Sequence, residues 1–238
     1  MIRTAWVVLN LLVATIPLAT IVIVASLFGA RGRFFHYSIT RFWSRWMLAV
    51  SGARVRIIGM EHVALDRPQI IVANHGSWFD VLALSAHLPK RFRFIAKKEL
   101  RNVPFWGRAW HMSGHIAIDR SDTQSAVESL EQAARLVQAD NSCIVIFPEG
   151  TRAPSDRMLP FKKGAFVLAL HSGLDIVPAG LRGTREILPK HGWRVRPGTI
   201  IVRFGTPIPT REYGELGRDR LMQRVRTEIE QLSAATPH

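Results

Sequence analysis

A histidine and an aspartate just after a short apolar run are the residues best placed to do chemistry in this sequence. Residues 70–73 read Ile-Ile-Val-Ala, which is typical of a buried strand, and Asn74, His75 and Asp80 follow. An imidazole can take a proton near neutral pH, and a carboxylate can fix its tautomer and stabilise the imidazolium that forms. The end of a buried strand is also a usual location of an α/β active site. The pattern therefore favours His75 as a general base with Asp80 as the acid that orients it.

A second polar cluster, Pro-Glu-Gly-Thr-Arg, follows the apolar run at residues 143–147. Gly150 would let backbone amides approach an anion closely, Thr151 can donate a hydrogen bond, and Arg152 offers a planar group that suits a phosphate or a carboxylate. The alternative is an ordinary surface turn with an ion pair between Glu149 and Arg152. The cluster alone leaves both interpretations open.

A third stretch places two lysines, Lys97 and Lys98, before an aromatic turn at residues 104–107. Cations beside such a turn can bind a phosphate at the border of an apolar groove. A run of charges is more often a solvated surface, however, and the stretch by itself favours that simpler interpretation.

Other reactive residue types are expected to be structural. Ser77 stands where a helix begins and is expected to cap it rather than to act as a nucleophile. His111 and His115 lack the acidic neighbours of a metal site and are expected to pack or to lie on the surface. Cys143 is the single cysteine, which excludes an internal disulfide and a thiolate zinc site, so we expect a small buried residue.

Short apolar runs separated by helical patterns predict the elements that must position these residues. Strands are expected over residues 55–58, 70–73, 92–95, 115–118, 143–147, 176–179 and 200–204. Helices are expected over residues 78–87, 104–110, 123–139, 164–172 and 218–233, the third of them capped by Ser121 or Asp122. Strands that alternate with helices predict an α/β layered domain, with a largely parallel mixed sheet flanked by helices, over residues 51–238.

The first fifty residues have a different character and are expected to form a membrane anchor. Residues 4–30 are 27 residues without a charged side chain, whereas a bilayer core needs about 20 apolar residues in a helix. The run can therefore span a membrane, or enter and return as a helical hairpin with a bend at Pro17. A cleaved signal peptide is the main alternative, but its apolar region is usually only about 7 to 15 residues long.

Arginines and aromatic residues alternate over residues 31–50. This pattern indicates a helix that lies in the membrane interface with its rings among the headgroups. The alternative is that Phe42, Trp46 and Val50 pack on the domain that follows. Since positive charge collects on the cytoplasmic side, we expect a location on the cytoplasmic face of the inner membrane.

The charge balance indicates an anionic partner without naming it. The chain has 32 Lys plus Arg against 18 Asp plus Glu, a net charge of +14. Seven arginines precede the first acid, Glu61. A sequence pI of about 11.3 could suggest nucleic acid, but outside the membrane segment the basic residues form no dense stripe and match no base-reading module. We therefore expect membrane lipids as partners and no nucleic acid.

Taken together and in order, these segments resemble the 1-acylglycerol-3-phosphate acyltransferase family. The family's first motif, Asn-His followed by four residues and Asp, is complete at residues 74–80. Its Lys-x-Glu-Leu motif, with downstream Pro, Gly and Ile-Asp-Arg, is matched over residues 97–120, Phe-Pro-Glu-Gly-Thr-Arg stands at residues 147–152, and Val-Pro at residues 177–178. The visible departure is Ala153, where many members have Ser.

The resemblance implies a glycerolipid acyltransferase fold and transfer of a fatty acyl group from acyl-CoA or acyl-ACP to the sn-2 hydroxyl of lysophosphatidic acid. Phosphatidic acid for phospholipid biosynthesis would be the product, and no cofactor or metal is expected. His75 would be the general base and Asp80 its orienting acid. The acceptor would be bound by Lys97, Lys98, Glu149, Gly150, Thr151 and Arg152, with Glu149 holding the loop or the glycerol.

Two alternatives to this interpretation stay open. The acceptor could be another lyso-lipid, such as a lyso-ornithine lipid, because the motifs specify the chemistry more than the headgroup. The chain could also be an inactive lipid-binding relative, which the intact His75 and Asp80 argue against. Since a thioester is already activated, no covalent acyl-enzyme is expected, and the chain contains no Gly-x-Ser-x-Gly.

Overall fold

The structure, a computed structural model, describes residues 1–26, 28, 30–119 and 123–235, with the side chains of residues 30–35, 123–127 and 215 left out of the description. The helices are α1 (Ile2–Ser26), α2 (Ala30–Ser51), α3 (Trp78–His87), α4 (Trp106–Met112), α5 (Thr123–Asp140), α6 (Gly164–Ser172), α7 (Thr184–Ile187) and α8 (Arg218–Ala234). The strands are β1 (Ala53–Ile58), β2 (Ile70–Ala73), β3 (Phe92–Lys97), β4 (Ile116–Ile118), β5 (Cys143–Ile146), β6 (Ile176–Arg182) and β7 (Gly198–Phe204).

The strands form one sheet in the order β1-β7-β6-β2-β5-β3-β4. Every neighbouring pair is parallel except β6 and β7, which are antiparallel. The predicted largely parallel mixed sheet is therefore confirmed, and all seven predicted strands are present. The central strands β2 and β5 are buried at every residue, as expected for parallel strands covered by helices on both faces.

Successive residues of β2 face opposite sides of the sheet and join two separate apolar cores. Ile71 packs in a core with residues of α2 and α3, among them Leu48 and Leu84. Ile70 faces a second core with residues of α5, α6 and α8, including Phe166. The sheet is thus held rigidly at its centre, where β2 and β5 end and the polar motifs begin.

The fourth helix is the clearest error in the predicted helix boundaries. It was expected over residues 104–110, but α4 begins at Trp106 and ends at Met112. Phe105 has a φ of 56°, which lies outside the right-handed helical region, so the helix cannot begin before it. The predicted α5 cap at Ser121 or Asp122, and Arg120 of the second family motif, lie outside the described residues.

The amino-terminal segment forms an antiparallel helical hairpin. Arg3 Nη1 donates to the Ser51 carbonyl at 3.1 Å, and Trp43 Nε1 donates to Thr15 Oγ1 at 3.1 Å. Helix α1 continues through Pro17, so the chain turns back after residue 26 rather than at the proline. Within the described ranges, α1 is the one helix long and apolar enough to cross a membrane. The predicted boundary between anchor and domain at residue 50 stays a prediction.

The aromatic residues of α2 divide between two environments. Phe42 and Trp46 are exposed, with ring centroids 6.4 Å apart. Val50 is partly buried against the core that contains Leu48. The packing alternative is therefore correct for Val50 and wrong for the two aromatic residues.

Candidate active site

The polar motifs meet at one edge of the sheet because the strands that carry them are parallel. Strand β2 pairs with β5, and β5 pairs with β3, so their carboxyl ends lie side by side. The histidine motif follows β2, the Pro-Glu-Gly-Thr-Arg cluster follows β5, and Lys97 is the last residue of β3. Segments far apart in the sequence thereby surround one site.

His75 and Asp80 form the hydrogen-bonded pair that their spacing predicts. His75 Nδ1 lies 2.8 Å from Asp80 Oδ2, and the same oxygen accepts the backbone N–H groups of Gly76 at 2.7 Å and Ser77 at 2.8 Å. The Asp80 side chain is fully buried in the first turn of α3, whereas that of His75 is 13% exposed. The helix N-terminus stabilises the carboxylate. Engagement of Nδ1 leaves Nε2 as the ring nitrogen that can take a proton from a substrate.

Ser77 is a helix cap, as expected, and not a nucleophile. Its Oγ donates to the Leu188 carbonyl at 2.7 Å and accepts the Phe79 N–H at 3.2 Å. With Asp80 it forms a capping box at the start of α3. The same aspartate therefore orients His75 and fixes the helix start, a double role that the Ser-x-x-Asp spacing could have revealed.

Glu149 braces the backbone of the histidine motif. Its Oε1 accepts the His75 N–H at 2.7 Å, and its Oε2 accepts the Leu159 N–H at 2.8 Å. The side chain is buried, and burial raises the pKa of Glu149 while the two backbone hydrogen bonds oppose the shift. The alternative of a surface turn with an ion pair to Arg152 is wrong. Since both oxygens bind backbone amides, the geometry favours holding the loop over binding the glycerol.

Two further residues position the histidine, and the sequence analysis did not single out either role. The Phe147 ring stacks on the His75 ring with centroids 4.1 Å apart and an interplanar angle of 17°. Asn74 exchanges two hydrogen bonds with the Leu181 backbone, at 2.9 and 2.7 Å. These contacts join β2 to its neighbours on both sides, β5 and β6. An aromatic residue and an asparagine at strand ends are the sequence signal that could have indicated them.

Arg152 is the predicted phosphate-binding residue that the structure brings to the histidine motif. Its guanidinium carbon lies 5.1 Å from the centre of the Trp78 ring, at the start of α3. Partial burial lowers its pKa, although an arginine remains a cation. Gly150 has a φ of +73°, a left-handed conformation that favours glycine. Thr151, beside it, is exposed.

Lys97 and Lys98 are exposed at the same edge of the sheet but belong to its outer part. Lys98 forms an ion pair with Asp119, which follows β4. The lysines therefore lie at the same edge of the sheet as the histidine motif, with strand β5 between β3 and β2. In the described part of the chain, no group of three or more His, Cys, Asp or Glu side chains could hold a metal ion.

Comparison with known proteins gives one family and one fold. The model of a family described as Acyltransferase matches residues 54–182. A 1-acyl-sn-glycerol-3-phosphate acyltransferase of Cocos nucifera is 38% identical over 171 residues, covering 72% of this chain and 55% of the relative. The corresponding protein of Saccharomyces cerevisiae is 36% identical over 191 residues, 76% of this chain and 62% of the relative. The chain thus spans less than two thirds of the length of these curated relatives.

One solved structure has the same fold over the whole chain. The crystal structure of the 1-acyl-sn-glycerophosphate (LPA) acyltransferase PlsC from Thermotoga maritima superposes with a TM-score of 0.81 and 24% sequence identity. The match covers 100% of this chain and 97% of that protein. The likeness includes the amino-terminal hairpin as well as the α/β domain.

Proposed function

The chain belongs to the acyltransferase family, and on that premise we propose that it transfers a fatty acyl group from acyl-CoA or acyl-ACP to the sn-2 hydroxyl of 1-acylglycerol-3-phosphate, giving phosphatidic acid. The observation that carries the proposal is the His75 and Asp80 pair, 2.8 Å apart at the edge of the sheet. The names of the curated relatives support the choice of acceptor.

In the proposed reaction, His75 is the general base. Its Nε2 takes the proton of the acceptor hydroxyl while the hydroxyl oxygen attacks the thioester carbonyl carbon. When the carbon–sulfur bond breaks, the proton passes from the imidazolium to the departing thiolate, so the products are an ester and a free thiol. Asp80 holds the ring through Nδ1 and stabilises the imidazolium. Glu149 and Phe147 keep the ring in place.

The acceptor phosphate is bound by cations on the neighbouring loops. Arg152 lies over Trp78 at the start of α3, and Lys97 lies at the end of β3 with Lys98 next to it. Gly150 gives this turn its left-handed conformation while its own N–H donates to the Phe147 carbonyl at 3.0 Å, and Thr151 beside it supplies a hydroxyl donor. A phosphomonoester needs several donors at once, and these residues supply them.

The helical hairpin is proposed to attach the domain to the cytoplasmic face of the inner membrane. Apolar side chains cover much of α1 and remain exposed, among them Trp6, Leu9, Leu12, Val13, Ile16, Ile21 and Val24. Helix α2 returns to the domain, where Arg41 and Arg45 both donate to the carbonyl oxygen of Ala86 at the end of α3. Because α2 is hydrogen-bonded to the domain, the hairpin enters the membrane from the side on which the domain lies and returns to that same side.

The test is the lipid product of the purified full chain in vesicles. We expect acyl-CoA or acyl-ACP and lysophosphatidate to give phosphatidate, faster than the same donor acylates a lysophosphatidylglycerol or a lyso-ornithine lipid, as measured by mass spectrometry. Acylation of another lyso-lipid without phosphatidate formation would refute the acceptor assignment. Absence of any acylated product would refute the proposed acyltransferase activity.

A further inference from the structure

Arg185 lies against the histidine motif although it belongs to none of the predicted site segments. It is in helix α7, which directly follows β6, and the carboxyl end of β6 lies beside that of β2. A Cβ atom built on Gly76 would meet the Cβ, Cδ and Cγ atoms of Arg185 at 3.8 to 3.9 Å. The stem of Arg185 therefore lies near the residue that follows His75, with room for about a methyl group between them.

The guanidinium group of Arg185 is only partly used by the protein. Its Nη2 pairs with Asp156 Oδ1 at 2.9 Å, and the Asp156 side chain is 86% exposed. Its Nη1 is buried and has no hydrogen-bond partner among the residues that the structure describes. An exposed ion pair stabilises little, whereas a buried guanidinium N–H without an acceptor is unfavourable. Because Nη1 is closed off from solvent, the nitrogen that can receive an oxygen from outside the chain is Nη2, whose present partner is the exposed Asp156.

Arg185 and Arg152 lie beside the same turn, residues 75–78. The stem of Arg185 is near Gly76, and the guanidinium of Arg152 lies over the ring of Trp78. Glu149 is occupied by the backbone N–H groups of His75 and Leu159, and the carboxylate that pairs with Arg185 belongs to the exposed Asp156. Two cations beside one turn suit a phosphate, whose oxygens accept several N–H groups at once.

We propose that Arg185 is a second phosphate-binding residue, whose guanidinium exchanges the exposed Asp156 carboxylate for phosphate oxygens of a substrate held near His75. The inference rests on the proposed function, since it assigns a contact within the same site. The phosphate can belong to the acceptor or to the coenzyme A thioester. Both sources present the same oxygens, and separate kinetic parameters distinguish them.

The experiment compares Arg185→Gln and Arg185→Lys with Asp156→Asn in the full chain. Arg185→Gln is expected to raise the KM for lysophosphatidate about tenfold with kcat within about twofold, the loss of one charged hydrogen bond. Arg185→Lys keeps the positive charge and should restore part of the affinity for lysophosphatidate. Asp156→Asn breaks the same ion pair but keeps the guanidinium, so the KM should stay at the wild-type value. A rise in the KM for acyl-CoA alone would assign the contact to the donor phosphates.

The control variant decides between binding and simple loop support. Equal changes in Arg185→Gln and Asp156→Asn would mean that the ion pair only holds the loop, and this result would overturn the proposal. So would an unchanged KM for both substrates in Arg185→Gln. Thermal unfolding of each variant shows whether it is still folded. If Arg185→Gln is not folded, Arg185→Lys is compared with Asp156→Asn instead.

A binding arm keeps the inference separate from the proposed function. Lysophosphatidate and coenzyme A are titrated calorimetrically into the His75→Ala chain, which cannot turn over, with and without Arg185→Gln. About tenfold weaker binding of one ligand in the double variant is expected. Unchanged affinities for both would refute the role of Arg185 even if the wild-type chain makes phosphatidate. If Arg185→Gln weakens ligand binding but the wild-type chain shows no turnover, the proposed enzymatic activity is refuted and the phosphate contact of Arg185 is retained.

Discussion

Two histidines of this domain, His75 and His115, are placed in contrasting environments. His75 follows the carboxyl end of β2, is partly exposed and binds the carboxylate of Asp80. His115 precedes β4, and its Nδ1 accepts the N–H of Phe94 at 3.1 Å. Burial, reinforced by the charge of Arg93, lowers the pKa of His115 to about 3. The same side chain is thus paired with a carboxylate at one end of the sheet, where we propose proton transfer, and kept neutral at the other.

The surroundings of His115 also show that cavity size does not locate the chemistry. A cavity of about 300 Å³ lies at the amino ends of β3 and β5 and is lined by His115, Tyr37 and Arg93 among others. The Arg93 guanidinium is already bound to Asp140 and to the Gly114 carbonyl. His115 packs against Trp110, with ring centroids 5.1 Å apart. What distinguishes the site around His75 is the carboxylate on its imidazole.

The largest expected difference between the two histidines is in turnover. His75→Ala should lower kcat about 10²- to 10⁴-fold, since it removes the proposed general base. His115→Asn should leave kcat within a few-fold, because the amide oxygen of asparagine can accept the Phe94 N–H. The measurement is thiol release from acyl-CoA with lysophosphatidate present. Similar losses of kcat in the two variants would show that the two histidines do not differ in function.

Asp80→Asn tests whether the carboxylate makes the difference. The amide oxygen in the place of Oδ2 can still face His75 Nδ1 and the N–H groups of Gly76 and Ser77, but it carries no negative charge to stabilise the imidazolium. We expect a fall in kcat on the order of 10²-fold, with the chain still folded by circular dichroism. Full activity in this variant would show that the pairing is structural only.

The acid sensitivity of folding should come mainly from His115, although burial lowers the pKa of His87 and His111 in the same direction. The pKa of His115 is about 3 in the folded chain against an ordinary value of 6.5, so below pH 6.5 the unfolded chain binds the extra proton. The free energy of unfolding should therefore fall by about 1.4 kcal/mol per pH unit as the pH drops from 6.5 towards 3. Urea unfolding between pH 7 and pH 4.5 measures this slope. His115→Asn should flatten it, and equal slopes would contradict the assignment.

The smallest effect is expected at the phosphate side of the site. Arg152→Gln should raise the KM for lysophosphatidate about tenfold while kcat changes less, because a substrate contact rather than the base is lost. Arg67, whose side chain is 56% exposed beside Asp175, precedes β2 at the opposite end of the sheet. Arg67→Gln is the matched control and should leave the KM unchanged. A rise in both variants would indicate a general charge effect.

The sequence predicts the parts of this molecule that depend on short segments. Apolar runs located all seven strands, and a spacing of five residues located the pair of His75 and Asp80. Pairing between distant segments has no local signal, so the antiparallel contact of β6 with β7 was not predicted. For the same reason the hydrogen bond from the His75 backbone to Glu149 and the position of Arg185 near Gly76 emerge only in the fold.

The amino-terminal hairpin shows that the effect of a single residue is also hard to predict from the sequence alone. One of the two predicted paths of the apolar run, entry and return, placed the bend at Pro17, since proline lacks an amide hydrogen and usually disturbs a helix interior. Helix α1 nevertheless continues through it to Ser26. The return of the chain is fixed instead by contacts between the two helices, such as the hydrogen bond from Trp43 to Thr15.

The central claim is that His75 directs one acyl chain to one hydroxyl, and the position of that chain in the product tests it most directly. A lysophosphatidate and an acyl-CoA with different chains are incubated with the wild type, His115→Asn and His75→Ala. Tandem mass spectrometry should find phosphatidate with the donor chain at sn-2 from the first two proteins and none above background from His75→Ala. The same product at the wild-type rate from His75→Ala would contradict the account.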